Sequence, residues 1–420
     1  MALNRKTRTA LVLSGGGTRG AYEAGVIHYI RTMLPGELSR RFQFHIQCGS
    51  SVGAVNSTYM AATMTDPVLQ GNLLLELWKN LRNEHIYRRG PISFGKFLFR
   101  TVAGFGLNML GVKGIMSPND TALGFKGVFD TTPFRSTLRR MCPWANITRN
   151  IRAGLLDAVT VSATNVQTGE IELFVQKASH LPKSERIILR EVRISPRHVM
   201  ASAALPLLFP AVPIDGSYYN DGSVRLNTPL APAVSFGASR ILIIGTRYQH
   251  HKQASEEAST LARISRQQPP PTIADVLGKF YNAILLDRVE NDRDQVNRIN
   301  RILEACQTHV SPGVYKSICR EARVQRIETT SIFPSVDIQD LVDEAVRGNY
   351  RSLKSLGAFE RFVLRILEAD PSRGLDLLSY FLFEPIYLNK LISLGFEDAR
   401  AKHDELCEFA ERSIRGAPVD

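Results

Sequence analysis

A Gly-x-Ser-x-Gly sequence constrains the fold of this 420-residue chain more than any other feature. It occupies residues 49–53, begins with Gly49, ends with Gly53 and has Ser51 at its centre. Such spacing is typical of a strained turn between a strand and a helix, in which glycines keep other side chains away from an exposed serine hydroxyl. The flanks agree, because residues 41–48 alternate apolar and polar side chains like a strand, and the residues after the motif are small and free of helix breakers. We therefore predict a nucleophile elbow; a tight turn around a buried serine is the alternative.

A run of glycines precedes the elbow at residues 15–20. It follows a short apolar stretch, residues 9–14, which we expect to be a buried strand, and it precedes a predicted amphipathic helix over residues 21–34. The run matches the Gly-x-Gly-x-x-Gly pattern of dinucleotide-binding folds, but the next predicted strand ends at Cys48 without the acidic residue that holds a ribose hydroxyl. A glycine loop at a helix N-terminus also suits an oxyanion, because its free N–H groups and the helix dipole point at one spot.

The charge balance indicates an acidic partner or surface. The chain carries 52 lysines and arginines against 40 acidic residues, a formal net charge of +12. Nucleic acid and anionic lipid headgroups are two candidates. Since the basic residues are spread along the chain without a zinc-finger, RNP-like or basic-zipper pattern, we expect no nucleic-acid partner. A solvated basic surface is the alternative to either partner.

The spacing of the cysteines and the length of the apolar segments indicate the cellular compartment. The five cysteines are scattered and contain no Cys-x-x-Cys, which argues against both a disulfide framework and a zinc site. No segment has the roughly 18 consecutive apolar residues of a membrane span, and the first residues lack the pattern of a secretory signal. We therefore predict a cytoplasmic protein that uses no metal.

Two Asp-Gly pairs in the middle of the chain are predicted to have different roles. Asp215 and Gly216 separate two short β-like runs, which is the arrangement of a two-residue hairpin turn. Asp221 and Gly222 come at the end of the return strand, where a side chain can point at a functional site. The sequence therefore predicts that Asp221 faces a site.

The composition changes after residues 240–245, which we predict to be the last strong buried strand. Residues 251–272 are polar and end in three prolines, as a linker does. Residues 273–420 show helical periodicity with few strand signals. We therefore predict a first domain over residues 8–250, a linker-like stretch and a mostly helical C-terminal region.

Within the first domain, residues 88–116 mix glycine and large apolar side chains with basic flanks. This composition is typical of a lid or of a segment that lies on a membrane interface. Ordinary core beneath a long loop accounts for the same composition.

A serine nucleophile needs a base, and the sequence leaves two solutions open. His250 and His251 follow Asp221, so the chain order Ser, Asp, His of one hydrolase fold is available. For that fold, however, the serine comes too early, after about the second strand. The other solution is a dyad in which a carboxylate takes the serine proton directly. Since an unperturbed carboxyl has a pKa of about 4, burial would have to raise it.

The order of these motifs resembles that of the patatin-like phospholipase family. The matching segments are residues 15–20 (GGGTRG), 49–53 (GSSVG), 201–210 (ASAALPLLFP), 221–223 (DGS) and 227–229 (NTP). The resemblance covers roughly residues 8–250, assigns no chemistry to the C-terminal region and implies a patatin-like catalytic domain. It implies an α/β fold of three layers, α/β/α, with a mostly parallel central sheet, and a Ser-Asp dyad of Ser51 and Asp221.

The resemblance also implies an oxyanion hole in the glycine run. Its donors would be the N–H groups of Gly15, Gly16 and Gly17, with Arg19 as electrostatic support. The chain departs from the family in one place, because the acid motif has Ser223 where glycine or alanine is commoner. Since serine is small, we expect no loss of function from this departure.

The implied activity is that of a lipid acyl hydrolase of the phospholipase A or lysophospholipase type. Such an enzyme cleaves carboxylic esters of glycerophospholipids through an acyl-enzyme on the serine, without a cofactor. A soluble short-chain esterase or acyltransferase on the same dyad is the first alternative, and a non-catalytic lipid-binding module is the second. The basic surface further predicts peripheral contact with anionic membranes.

Overall fold

The computed structural model describes residues 7–88, 127, 129–181, 188–248, 289–322, 324–347 and 379–416. Several predicted features lie outside these residues. They are the apolar stretch beyond Arg88, the linker-like stretch 251–272, the two histidines His250 and His251, and parts of the predicted helical region.

Nine strands within the described ranges form one sheet. The strands are β1 (Thr9–Leu13), β2 (Ile46–Ser50), β3 (Ala158–Asn165), β4 (Ile171–Lys177), β5 (Ile188–Glu191), β6 (Val212–Ile214), β7 (Ser217–Asp221), β8 (Arg240–Ile244) and β9 (Glu328–Ile332). Their order is β5-β4-β3-β2-β1-β8-β9, and β7 pairs with β3 and with β6. The pairs of β1 with β2 and β8, of β2 with β3, of β4 with β5 and of β8 with β9 are parallel; those of β3 with β4 and β7, and of β6 with β7, are antiparallel.

Fourteen α-helices lie within the described residues. They are α1 (Gly20–Thr32), α2 (Gly36–Arg41), α3 (Val52–Ala62), α4 (Pro67–Lys79), α5 (Asn83–Ile86), α6 (Thr132–Met141), α7 (Ala145–Arg152), α8 (Pro196–Ser202), α9 (Leu230–Ser235), α10 (Val289–His309), α11 (Pro312–Glu321), α12 (Ile338–Arg347), α13 (Pro385–Ala401) and α14 (His403–Arg415). No helix among the described residues is both long enough and apolar enough to cross a membrane.

The sheet separates two apolar cores, which confirms the predicted three-layer α/β fold. Leu11 and Leu13 of β1 face a large core shared with α1, α3, α4 and α13. Ala10 and Val12 of the same strand face a smaller core shared with α9 and α10. Because successive side chains of a strand point to opposite faces, a strand that is apolar throughout is buried on both sides.

The elements around the elbow differ from the predicted ones at one boundary. The strand predicted over residues 41–48 begins only at Ile46, since α2 extends to Arg41. Phe42 and Phe44 are buried side by side, with ring centroids 4.7 Å apart, so the alternating pattern reflects core packing before the strand begins.

The predicted C-terminal region contributes directly to the same sheet and its helical layer. Strand β9 pairs in parallel with β8, so residues 240–245 are not the last strand of the sheet. Helix α13 packs against α1 so closely that a Cβ on Gly25 would lie 2.1 Å from the Ile392 carbonyl oxygen. Strand β9 is hard to predict from sequence, because its residues are mostly polar and, among the described residues, it pairs only with β8.

Candidate active site

Ser51 lies in a strained turn between β2 and α3. Its backbone has φ 51° and ψ −122°, a conformation that costs an L-residue on the order of 1–3 kcal/mol. Both outer positions of the motif must be glycine, because backbone carbonyl oxygens lie where a Cβ atom would be. A Cβ on Gly49 would lie 2.2 Å from the Gly53 carbonyl oxygen, and one on Gly53 would lie 2.3 Å from that of Leu13. The predicted strand, turn and helix are therefore present, with the serine at the strained position.

A hairpin brings Asp221 to this serine. Strands β6 and β7 are joined at Asp215 and Gly216, whose φ angles of 48° and 83° are those of the predicted two-residue turn. Strand β7 pairs with β3 and ends at Asp221. The Ser51 hydroxyl donates a 2.6 Å hydrogen bond to Asp221 Oδ2, although 170 residues separate the two in the chain.

Further hydrogen bonds fix both partners in place. The Ser51 N–H donates to Ser202 Oγ at 2.9 Å, which ties the elbow to α8. The Ser223 N–H donates to Asp221 Oδ1 at 2.8 Å, and the Thr164 hydroxyl donates to the Asp221 carbonyl oxygen at 2.9 Å. Each carboxylate oxygen of Asp221 thus accepts a hydrogen bond, and the side chain is held in one orientation.

Burial changes the acidity of Asp221. Desolvation raises its pKa to about 6, while hydrogen bonds from Ser51 and Ser223 act in the opposite direction. The carboxyl is therefore still ionised at neutral pH, yet it is a stronger base than an exposed aspartate.

The glycine run forms a loop between β1 and α1. The Gly15 N–H is already occupied, since it lies 3.1 Å from both the backbone oxygen and Oδ1 of Asn227. Among the described residues, neither the Gly16 nor the Gly17 N–H has a hydrogen-bond acceptor. Gly15 is also a predicted oxyanion donor, but its N–H is bonded to Asn227, so Gly16 and Gly17 remain as the candidate donors.

Arg19 follows the loop and is buried beside it. Its Nη2 donates to Ser379 Oγ at 2.8 Å, and its Cζ lies 4.4 Å from the centre of the Tyr380 ring. Its Nη1 lies 3.5 Å from the Thr246 carbonyl oxygen. The guanidinium therefore stabilises the loop through the C-terminal region and the end of β8.

An apolar cavity opens at Ser51. Its empty volume is about 560 Å³, part of it open to solvent. The side chains along it come from several elements and are almost entirely apolar; they include Val55, Leu77, Trp78, Phe134, Met141, Leu205, Phe209, Tyr380 and Phe383. Gly17 and Ser51 also line it, so the cavity joins the glycine loop to the elbow. A chain of methylene groups suits such a lining.

His198 packs close to β7, but no hydrogen bond among the described residues joins it to Ser51. His198 of α8 caps its own helix through Ser195 and lies 4.7 Å from the Phe174 ring, and burial lowers its pKa to about 4. Its role is therefore structural. Among the described residues, no group of three or more His, Cys, Asp or Glu side chains could hold a metal ion.

Sequence reasoning missed the residues that support the site from a distance. Ser202, Asn227, Ser379 and Tyr380 are ordinary residue types, and only their tertiary contacts show their position. Two of them, Ser202 and Asn227, lie inside the motif segments, which was the one available signal.

Comparison with known proteins finds a matching family model and a related protein. A family model described as patatin-like phospholipase matches residues 11–234. A protein of Pseudomonas aeruginosa named cGAMP-activated phospholipase is 29% identical over 255 residues, which cover 57% of this chain and 62% of that protein. The chain therefore spans less than two thirds of the length of this relative.

Two solved structures are similar at low sequence identity. One is human GIVD cytosolic phospholipase A2 in complex with methyl gamma-linolenyl fluorophosphonate, with a TM-score of 0.40 and 10% identity over 98% of this chain and 59% of that chain. The other is VipD from Legionella pneumophila, with a TM-score of 0.30 and 13% identity over 99% of this chain and 91% of that chain. The family match, in contrast, covers over half of the 420 residues and includes both the glycine loop and the elbow. The chain belongs to the patatin-like phospholipase family.

Proposed function

We propose that the protein is a serine lipid acyl hydrolase of the phospholipase A or lysophospholipase type. It would cleave carboxylic esters of glycerophospholipids with Ser51 as nucleophile and Asp221 as base. The observation that carries this proposal is the 2.6 Å hydrogen bond from the Ser51 hydroxyl to the buried Asp221 carboxylate, at the opening of an apolar cavity.

In the first half of the reaction, the Ser51 oxygen attacks the ester carbonyl carbon while its proton moves to Asp221 Oδ2. The raised pKa of Asp221 favours this transfer, because a general base works best when its pKa lies near the working pH. The tetrahedral intermediate then collapses, the bond to the leaving alcohol breaks, and Asp221 returns the proton to the alcohol oxygen. An acyl-enzyme on Ser51 remains.

In the second half, water attacks the acyl-enzyme and Asp221 accepts its proton. Collapse of the second tetrahedral intermediate releases the fatty acid and returns the proton to Ser51. In both halves negative charge develops on the former carbonyl oxygen, which the Gly16 and Gly17 N–H groups at the start of α1 would stabilise. One donor of this kind contributes on the order of 100-fold to 1000-fold in rate.

We also propose peripheral contact with anionic membranes, since the substrate is a lipid and the net charge is +12. Leu207 supports this contact. It is 49% exposed and has a φ of 65°, whereas Leu205 and Phe209 on either side line the cavity. Holding a leucine in this left-handed conformation costs about 1–2 kcal/mol, and it presents an apolar side chain to solvent beside the cavity wall.

The membrane contact is tested by sedimentation with phosphatidylglycerol vesicles. Leu207→Ser should reduce binding to the vesicles and leave hydrolysis of a soluble short-chain ester unchanged. Leu69→Ser, which removes an equally exposed leucine from α4, is the matched control and should bind like the wild type. Equal binding by all three proteins would contradict a role for Leu207 at the membrane.

The activity is tested by mass spectrometry of lipids released from phospholipid vesicles by the purified full chain. The assay is run with and without cGAMP, because the Pseudomonas relative is named for activation by that nucleotide. We expect free fatty acid and lysophospholipid, none with Ser51→Ala, and undiminished product with His250→Ala plus His251→Ala. Hydrolysis confined to short-chain esters would favour the esterase alternative. Loss of activity in the histidine variant would favour a triad.

A further inference from the structure

A short C-terminal segment lies directly on the glycine loop. We call residues 379–383 the C-terminal strap. The Thr18 N–H donates to the Tyr380 carbonyl oxygen at 3.1 Å, and the Thr18 hydroxyl donates to the Ser379 carbonyl oxygen. A Cβ on Gly17 would lie 2.0 Å from the same Tyr380 oxygen. The loop and the strap are thus in backbone contact, so the position of the strap limits where the Gly17 N–H can lie.

The strap also holds Arg19. The Arg19 guanidinium donates to the Ser379 hydroxyl at 2.8 Å and lies 4.4 Å from the centre of the Tyr380 ring. Both Arg19 and Tyr380 are about 95% buried, so these interactions are shielded from water and are stronger than at a surface. The cation behind the loop therefore depends on strap residues for its placement.

Both ends of the strap are anchored on the layer that carries the loop. The Phe383 N–H donates to Asn83 Oδ1 at 2.9 Å, and the Tyr387 hydroxyl lies 3.4 Å from the Ser379 carbonyl oxygen. Helix α13 begins just after the strap and packs on α1, where a Cβ on Gly395 would lie 2.1 Å from the Tyr22 carbonyl oxygen. The strap is therefore fixed relative to α1, the helix that begins at the glycine loop.

Finally, the strap forms part of the cavity wall. Tyr380 and Phe383 line the cavity together with Gly17 and Ser51. The family match ends at residue 234, so this wall lies outside the matched region. An acyl chain in the cavity would contact two side chains that lie more than 300 residues beyond the nucleophile.

We propose that the C-terminal strap completes the active site. Ser379 and Tyr380 are positioning residues that hold Gly17 and Arg19 where charge develops in the transition state, and Phe383 limits the acyl chain that the cavity admits. This inference rests on the proposed function.

The positioning role is tested in the full chain with a soluble short-chain ester. Ser379→Ala and Tyr380→Leu should each lower kcat, by about tenfold, and leave KM within about twofold, because the lost interactions act on the transition state. Tyr380→Phe keeps the ring face and should lose less kcat than Tyr380→Leu. Tyr315→Leu, a tyrosine substitution on α11 of the same C-terminal region, is the matched control and should leave kcat unchanged.

A double mutant separates positioning from general damage. If the strap acts through Arg19, Arg19→Ala combined with Tyr380→Leu should be no slower than Arg19→Ala alone, because residues that act as a unit are not additive. Multiplied losses would contradict this route. The role of Phe383 is read from chain length: Phe383→Trp should lower kcat/KM for long acyl chains at least about tenfold more than for short ones.

Different results would contradict the role of the strap and the proposed function. If Ser51→Ala abolishes activity while folded Ser379→Ala and Tyr380→Leu turn over like the wild type, the strap is only structural. If Tyr380→Phe loses as much as Tyr380→Leu, the ring face is not what holds Arg19. Thermal unfolding of each variant shows which are folded, and Ser379→Ala, which removes a single oxygen, decides the question if Tyr380→Leu does not fold.

Discussion

Two carboxyl groups near the elbow are fully buried, Asp221 at the end of β7 and Glu23 in the first turn of α1. Burial raises the pKa of both. Asp221 reaches only about 6 because Ser51 and Ser223 donate to it, whereas the pKa of Glu23 rises well above its usual range. Glu23 accepts from Asn56 at 2.7 Å, and its Oε1 has no hydrogen-bond partner among the described residues.

The difference shows what distinguishes a base from a buried acid in one protein. Desolvation raises the pKa of both groups. Hydrogen-bond donors on both oxygens of Asp221 limit the rise of its pKa to about 6, so the carboxylate can accept a proton near neutral pH, whereas Glu23 packs between α1, α3 and α4. Through Asn56, Glu23 is linked to Trp78, whose indole N–H donates to Asn56 Oδ1 at 2.9 Å.

The largest effect is expected on turnover. Ser51→Ala and Asp221→Asn should each reduce ester hydrolysis by at least about 10⁴-fold, and the double variant should be no slower than either single one. Glu23→Gln is the matched control, since it also replaces a buried carboxyl with an amide, and it should retain wild-type kcat. The steady-state hydrolysis rate of a soluble ester is measured for all four variants. A loss with Glu23→Gln equal to that of Asp221→Asn would remove the distinction between the two carboxyls.

The pH dependence of kcat/KM should show which carboxyl reacts. Because Asp221 must be ionised to accept the serine proton, kcat/KM should fall about tenfold per pH unit below its pKa of about 6 and level off above it. Glu23→Gln should leave this acid limb in place. A profile without an acid limb between pH 5 and 7 would contradict Asp221 as the base.

Stability should depend on pH at both positions. The folded-state pKa of each group is raised, so each stabilises the fold below its unfolded pKa and loses this contribution as pH rises. For Asp221 the loss runs from about pH 4 to about pH 6 and then stops; at about 1.36 kcal/mol per pH unit it amounts to about 3 kcal/mol. For Glu23 the direction is the same, because burial raises its pKa as well.

Urea unfolding at several pH values measures both contributions. Relative to the wild type, Asp221→Asn should gain stability up to about pH 6 and then show a constant difference. Glu23→Gln should also gain stability relative to the wild type as pH rises, because burial raises the pKa of Glu23. A variant whose difference from the wild type does not change with pH would show that burial does not raise the pKa of the carboxyl it replaces.

The smallest expected effect concerns Ser223. Its backbone and side chain both hydrogen bond to Asp221 and lower the pKa of that carboxyl, and its hydroxyl lies 3.2 Å from that of Ser50. Of the elements packed on β7, strands β3 and β6 carry no charged side chain and α8 carries Arg197 and His198. Ser223→Ala should therefore move the acid limb of the profile upward by less than about one pH unit, with kcat nearly unchanged at pH 8. An unmoved limb would show that the hydroxyl does not tune the base.

Much of the site could be predicted because local backbone geometry requires particular residues. Gly49 and Gly53 stand where a Cβ would strike a carbonyl oxygen, and Asp215 and Gly216 have positive φ angles, so these positions leave a pattern in the sequence. The turns indicated that Ser51 and Asp221 each face a site, and the family resemblance implied their pairing.

The remainder depends on tertiary contacts between ordinary residues. Nothing local shows that Asn227 would occupy the Gly15 N–H, that Tyr380 would lie against Gly17, or that Glu23 would be fully buried. Strand β9 is at the edge of the described part of the sheet, consists mostly of polar residues and resembles a loop in sequence.

Covalent trapping tests the central claim most directly. An alkyl fluorophosphonate should phosphonylate the wild-type protein once, with loss of fluoride, and peptide mass spectrometry should place the adduct on Ser51. Ser51→Ala should remain unlabelled, Asp221→Asn should label far more slowly, and Glu23→Gln should label at the wild-type rate. An adduct on another residue, or undiminished labelling of Ser51→Ala, would contradict the assignment of Ser51 as the nucleophile.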